Sequence, residues 1–580
     1  MSVAALGYSC SPNGLRLSFS PMSSIHSSHP VAAETPSTDV YAVYGADPEV
    51  QAYGMAKYSR SALSMRESLA EINEQKAEKF LNTFYFQYGH RSIADLAHVA
   101  FAIERLSVLA ATVVVDEPRW DGQERSTRYQ DFQKSGYYIP DFGNDAGARR
   151  LYCETIDHLF AEYRYFSEEM FRYLRERTPK PPEMKPETYE RTLRARAFDI
   201  SRYLLPLATN TSLGQIVSAR TLESQVSRLL SHTHAEVRRL GELLRRAAQE
   251  PAYNVNEAKA RELLKSFEDA IPSDGEPPLP TGVEGSRCHN DRLREFLLRP
   301  VCVAPTLVKY AEPSPYEIET RRELRAAAAE LLAQIAIAPA PTVDLLEDDP
   351  LEVELATTLL YQHSHHPYRQ IRKLVSSLSE ARRHEIIEMG LHHRGPYDEV
   401  SRAFRAGQQF RFDILMDIGG FRDLHRHRRC VQIVQDYTAA HGYDLPPEIE
   451  SAGFAKRYQS AMERARSAAA QLADRALPAL SPDEGEMSGP EPAREAVRPA
   501  AEAEEQSQYI IPLAFHKRTL FKMDLAEVIY ISELRTGAAG HISYRNVAYA
   551  MYEAVAGRYP ALAKYFRVTD VREPVDLLKR

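Results

Sequence analysis

Two short stretches carry residue types that could bind or transform an anion. The first, DGQERSTRYQDFQKSGYYIP (121–140), alternates Glu124, Ser126 and Arg128. On an extended segment these side chains point to one face. An acceptor, a hydroxyl and a fork-shaped cation together suit a polar, phosphorylated small molecule; an exposed polar strand edge would read the same way. The second, FRDLHRHRRCVQIVQDY (421–437), sets His425, Arg426, His427, Arg428 and Arg429 side by side. If this segment is extended, Arg426 and Arg428 share a face and His427 lies opposite. Such a run is commonly a solvated basic patch. Its flanks, DILMDIGGF and CVQIV, are apolar, however, and arginines held among apolar segments need compensating anions.

Composition limits the identity of that anion. The chain has 580 residues, a formal net charge of −8, 44% hydrophobic and 26% charged residues. That length exceeds one ordinary core and predicts two domains of roughly 200–280 residues. The acidic balance argues against a nucleic-acid polymer as partner, so the basic clusters call for a small, local anion. Five scattered cysteines without a C-x-x-C pair suit a reducing compartment, the cytoplasm, and offer neither a zinc site nor a disulfide framework. No apolar run is long enough to predict a membrane span. Residues 1–39 are rich in Ser, Pro and Ala and contain one arginine, Arg16, where a transit peptide should carry several. They are expected to form a disordered tail.

The elements that must position the two stretches repeat along the chain. Tyr58 and His90 recur 303 positions later as Tyr361 and His393. YYIP (137–140) finds YDLP (443–446), and LLPLA (204–208) finds IIPLA (510–514), both at an offset of 306. Three matches in one order with nearly constant spacing imply duplication: copy one over 40–271, a Pro- and Gly-rich linker over 272–303, and copy two over 304–580. Further breakers, TPKPPEMKPE (178–187) and PDEGEMSGPEPAREAVRPAAEAEEQ (482–506), interrupt the copies as surface excursions. Apolar spacing near 3.6 predicts an amphipathic helix over 66–85 and a long helical stretch over 219–248. AATVVVDEP (110–118) predicts a buried strand. Helices dominate with a few strands per copy, so the expected class is α+β, two tandem helix-rich copies each with a small, mainly antiparallel sheet.

With these residues in hand, the chain resembles the flavin-dependent thymidylate synthases, whose signature is R-H-R followed by N-E-x-S-x-R-Y and a Y-I-P strand end. The signature is divided. Copy one has QERSTRY (123–129) and YYIP but reads DEPR (116–119) in place of R-H-R. Copy two has Arg426-His427-Arg428, with CVQIVQDYT in place of the second half. Downstream, SRYLLPLATNTSLGQIVSAR (201–220) is similar to the family's R-x-x-L-P and N-A-R segments, and Arg535 in SELRTGAAGH (532–541) fits its L-R position, which falls near Arg228 or Leu229 in copy one. Copy two reads MDLAE (523–527) where N-A-R would stand and Gln508 at the Arg202 position.

The resemblance implies reductive methylation of dUMP to dTMP, with methylenetetrahydrofolate and NADPH as co-substrates and FAD as cofactor. It assigns Arg535 to polarising the uracil ring, and Glu124, Ser126, Arg128, Arg202 and Arg426 to substrate. His427, Arg428, Ser218 and Arg220 would contact the flavin. His98, in AHVAF, resembles a family histidine near the flavin and reads equally as a packed core histidine. Because family members build each site between subunits of a homotetramer, the resemblance also implies one site pooled from both copies and a homodimer that mimics four domains. No metal and no membrane are implied. The alternatives are a duplicated relative with different redox or methyl-transfer chemistry, and a non-catalytic flavin- or nucleotide-binding or scaffold relative with a degenerate site.

Overall fold

Four helices begin directly where a strand ends, and each junction is a Ser or Asp whose side chain accepts the amide three residues on, as an N-cap should. Ser107 closes strand β1 (His98–Ser107) and caps α1 (Val108–Val114). Ser218 closes β3 (Asn210–Ser218) and caps α4 (Ala219–Leu230). Asp417 and Asp524 do the same for β5 (Phe410–Asp417) into α6 (Ile418–Leu424) and for β7 (His516–Met523) into α9 (Leu525–Thr536). The computed structural model describes residues 45–57, 93–269, 292–315, 318–319, 341–346, 350–362, 368–391, 404, 410–474, 500–574 and 576–578. The helix expected over 66–85, the repeat pairs built on Tyr58, His90 and His393, and most of the linker lie outside these residues.

The remaining elements repeat in the same order. Copy one continues with β2 (Asp121–Glu124), α2 (Ala146–Arg177), α3 (Pro186–Ser201) and α5 (Ala235–Gln249). Copy two answers with β6 (Val431–Val434), α7 (Ala455–Asp474), α8 (Ala500–Gln508) and α10 (Ile542–Arg558), and adds β4 (Val343–Leu345). The sheets run β1-β3-β2 and β4-β5-β7-β6, and every pairing is antiparallel. These small sheets among long helices make an α+β protein of two tandem copies. Among the described residues no helix is long and apolar enough to cross a membrane.

The copies join about a pseudo-two-fold axis at Pro206 and Pro512, which bridge each other 306 positions apart. Leu207 N donates to Ile511 O and Leu513 N to Leu205 O, both at 3.0 Å. Ala208 N donates to Tyr509 O, and its counterpart Ala514 N to Tyr203 O. One apolar core spans copy one and the Tyr509–Phe515 segment of copy two; a second lies under the copy-two sheet around Phe412, Phe421 and Phe521. Residues 304–308 pack on copy one, with Ala304 N bonded to Ala248 O.

Local structure departs from the sequence expectation in three places. The segment expected as a strand over 110–118 is helix α1 followed by a turn. Its Val-rich run lies buried directly behind the Ser107 cap, so packing and capping outweigh β propensity. The stretch 219–248 is two helices, because Ser231 ends α4 and His234 starts α5. Neither signature stretch is extended throughout: β2 stops at Glu124 and the chain turns through Ser126 to Arg128, while Arg426 to Arg428 lie in the turn after α6.

Candidate functional site

Arg128 reaches out of copy one. Its Nε and Nη2 form a fork on Asp199 of α3 at 2.9 and 3.0 Å, while Nη1 donates to the Tyr544 hydroxyl of α10 at 2.9 Å and Nη2 to Ala539 O. Both members of the ion pair are buried. Burial alone would raise the Asp199 carboxyl; His541, Arg202 and Arg128 instead hold it well below the carboxylate range. The Arg128 guanidinium is raised in turn, Asp199 outweighing its own burial. Ser126 accepts the Arg128 amide at 3.3 Å, so it shapes the turn.

Arg202 is 2% exposed. It follows α3 and crosses to copy two, where Nη1 meets Asp423 at 3.3 Å. Its Nε lies 3.7 Å from Asp199, and Nε and Nη2 have no hydrogen-bond partner. Asp423, on α6, is the focus of the centre. Burial would push its carboxyl up, yet Arg202, Arg128, Arg426 and Arg535 together hold it below the usual range. Cations from both copies thus converge on one acid.

On the copy-two side His427 is buried, flanked by exposed Arg426 and half-buried Arg428. The His427 Nε2 accepts from Arg535 Nε at 2.7 Å, and Nδ1 faces Glu527 at 3.4 Å. That arrangement puts the imidazole proton on Nδ1. Burial and Arg535 push the His427 pKa down against the opposing pull of Glu527, so the ring is neutral near pH 7. His427 therefore positions Arg535, whose guanidinium lies 5.6 Å from the Tyr544 ring; Arg128 lies 5.5 Å from the same ring.

Glu124 and Arg426 meet in a cavity of about 180 Å3 between the copies, whose walls include Thr112, Val115, Trp120 and Arg428. Arg422 pairs with Glu124 across the copy boundary, both side chains 9% exposed. Arg428 stacks over the Trp120 ring at 4.5 Å. Gly122 makes that placement possible: a Cβ there would collide with the Gly214 carbonyl and the Trp120 ring.

The three other residues singled out from the sequence lie elsewhere. Ser218 is spent as the α4 cap, Arg220 pairs with Asp95 at 2.9 Å, and exposed His98 opens β1 as the register partner of Ser218. None of them lines the cavity. Among the described residues, the cavity beside Arg426, at about 180 Å3, lies below the ~300 Å3 at which small-molecule pockets begin and by itself does not enclose a flavin. The residues resembling flavin contacts also fall in two separate places.

Sequence reading missed Asp199, Asp423, Arg422 and Tyr544. Asp423 carried one usable signal, its place three residues before Arg426, and the others carried none.

The chain is similar to a UPF0159 protein of Chlamydia pneumoniae, 26% identical over 575 residues that cover 93% of each chain. A UPF0159 protein of Thermoplasma acidophilum is 22% identical over 551 residues, 89% of this chain and 94% of the other. A Flavin-dependent thymidylate synthase of Clostridium tetani is 26% identical over 189 residues, 31% of this chain and 68% of that protein. The family described as thymidylate synthase complementing protein matches residues 42–252 and again 343–561. These two matches span most of the chain and fall on its two structural copies, so the chain belongs to the thymidylate synthase complementing protein family as a tandem duplicate.

Proposed function

We propose that the arginine centre binds the phosphate and base of dUMP, and that a dimer of this chain carries out its reductive methylation. The observation that supports this reading is the gathering of Arg128, Arg202, Arg426 and Arg535 around Asp423, with Arg202 Nε and Nη2 buried and without a hydrogen-bond partner. Unpaired guanidinium donors in a buried setting suit a phosphate. Arg426, exposed beside the cavity, is the natural first contact for an incoming anion. Arg535, held by His427, is aimed to stabilise negative charge developing on a uracil ring. A second chain would bring Ser218, Arg220 and His98 to its partner's Arg428, and FAD bound between them would supply the reducing equivalents drawn from NADPH. Methylenetetrahydrofolate is the one-carbon donor of this reading.

The test is direct. Purified protein should retain flavin, form a dimer, bind dUMP in calorimetry, and oxidise NADPH in a dUMP-dependent manner. Colourless protein that ignores dUMP would sink the reading. A second reading, a dUMP-class nucleotide binder without turnover, is favoured by the closed Arg128–Asp199 fork and the small cavity. It predicts dUMP binding with neither flavin nor NADPH oxidation.

A further inference from the structure

A second cavity, about 380 Å3, lies between the copies and touches the arginine centre at Asp199 and the neighbouring His541. Its volume is in the range of pockets that hold small organic ligands. Leu174, Ile200, Leu445, Pro446 and Ile542 give it largely apolar walls. Arg545 lines it, 2% exposed: Nε donates to Thr536 O at 2.9 Å, and Nη2 has no partner. A buried guanidinium nitrogen without an acceptor is costly unless something supplies one. His541, also buried, accepts Ser543 N on Nδ1 at 3.2 Å, which leaves its proton on Nε2. Burial pushes this imidazole down to about 4, so near pH 7 it is a neutral donor. Arg196 adds positive charge and is tied by Nε to Leu577 O at 3.3 Å.

We propose that this cavity binds a small organic monocarboxylate with an apolar body, its carboxylate accepting from Arg545 Nη2 and the body lying on the Leu and Pro walls. The acids present explain why one negative charge suits it and two do not. Asp199 is neutralised by Arg128 and Asp444 is paired with His516 at 2.7 Å, while Glu448 at the wall would repel a second charge. A phosphate dianion would also ask for more donors than Arg545 and His541 offer. The site does not depend on the nucleotide reading.

The probe is benzoate, titrated by calorimetry into the full-length protein, with benzyl alcohol as its neutral counterpart and inorganic phosphate as a dianion. Benzoate should bind saturably at one per chain, and neither control should compete. Arg545→Gln should weaken it about tenfold or more, the worth of a charge-assisted hydrogen bond. Ile542→Trp, at a position 39% exposed and so safe for folding, should fill the mouth and weaken benzoate similarly. Arg426→Ala should leave it unchanged. The proposal is overturned if benzoate shows no saturable binding, if benzyl alcohol or phosphate binds as well, or if Ile542→Trp binds benzoate like the native protein. Should Arg545→Gln fail to fold, Ile542→Trp and the two controls still decide.

Discussion

Replacing Arg128 by Met tests whether its fork on Asp199 is a structural neutralisation or a ligand site held closed by an internal acid. The Asp199 and Arg128 side chains are 5% and 8% exposed, and the fork supplies hydrogen bonds of 2.9 and 3.0 Å. Without Arg128, the carboxylate loses its hydrogen-bonded cation and keeps more loosely placed ones, Arg202 at 3.7 Å and Arg196, while Tyr544 loses its donor. Breaking a buried pair by removing one partner costs about 3–5 kcal/mol, because the other charge is left without compensation. Arg128→Met should therefore lower unfolding free energy in urea by about that amount at pH 7. Asp199→Leu in the same chain should recover most of the loss, since an apolar pair of similar volume is close to neutral. Calorimetry with dUMP on the restored double variant then separates the roles: lost binding marks Arg128 as a ligand contact, and retained binding marks it as a neutraliser of Asp199. A single-variant cost below about 1 kcal/mol, the range of a surface pair, would refute the reasoning.

Arg426→Ala should change stability by no more than about 0.5 kcal/mol, as an exposed site does. It should cost about 1.5–3 kcal/mol in dUMP affinity, roughly 10- to 150-fold by calorimetry. Stoichiometry should be one dUMP per chain, because the positions equivalent to Asp423, Arg426, Arg535 and Arg202 in the other copy are Val113, Asp116, Leu229 and Gln508; two equal sites would contradict this. Burial raises the Asp417 carboxyl to about 7. Its folded pKa lies above the unfolded value, so its contribution is full below about 4 and lost as pH rises through 7. The melting temperature of Asp417→Asn relative to native protein should therefore improve between pH 6 and pH 8; an unchanged difference would rule out the titration.

The helical character, the duplication and its offset of 306, and the division of one signature between two copies were legible in the amino-acid order. Capping residues, periodic apolar faces and motif spacings are local properties, written within a few positions of where they act. Arg128 and Arg426 stood out by residue type and spacing in their two stretches, while Arg202 and Arg535, and the grouping of all four, came from the family resemblance. Tertiary structure alone decided what those cations face. Asp199 lies 71 positions from Arg128 and Asp423 lies 221 from Arg202; the local sequence leaves Asp199 unmarked and hints at Asp423 only by its place three residues before Arg426. Folding also turned the Val-rich run after Ser107 into a helix, because burial behind a cap outweighs strand preference. It separated Ser218, Arg220 and His98 from the arginine centre as well, since they sit where β1 and β3 meet at the start of α4. Charge pairing depends on distance through space and on burial, and a linear sequence specifies both only through the whole fold.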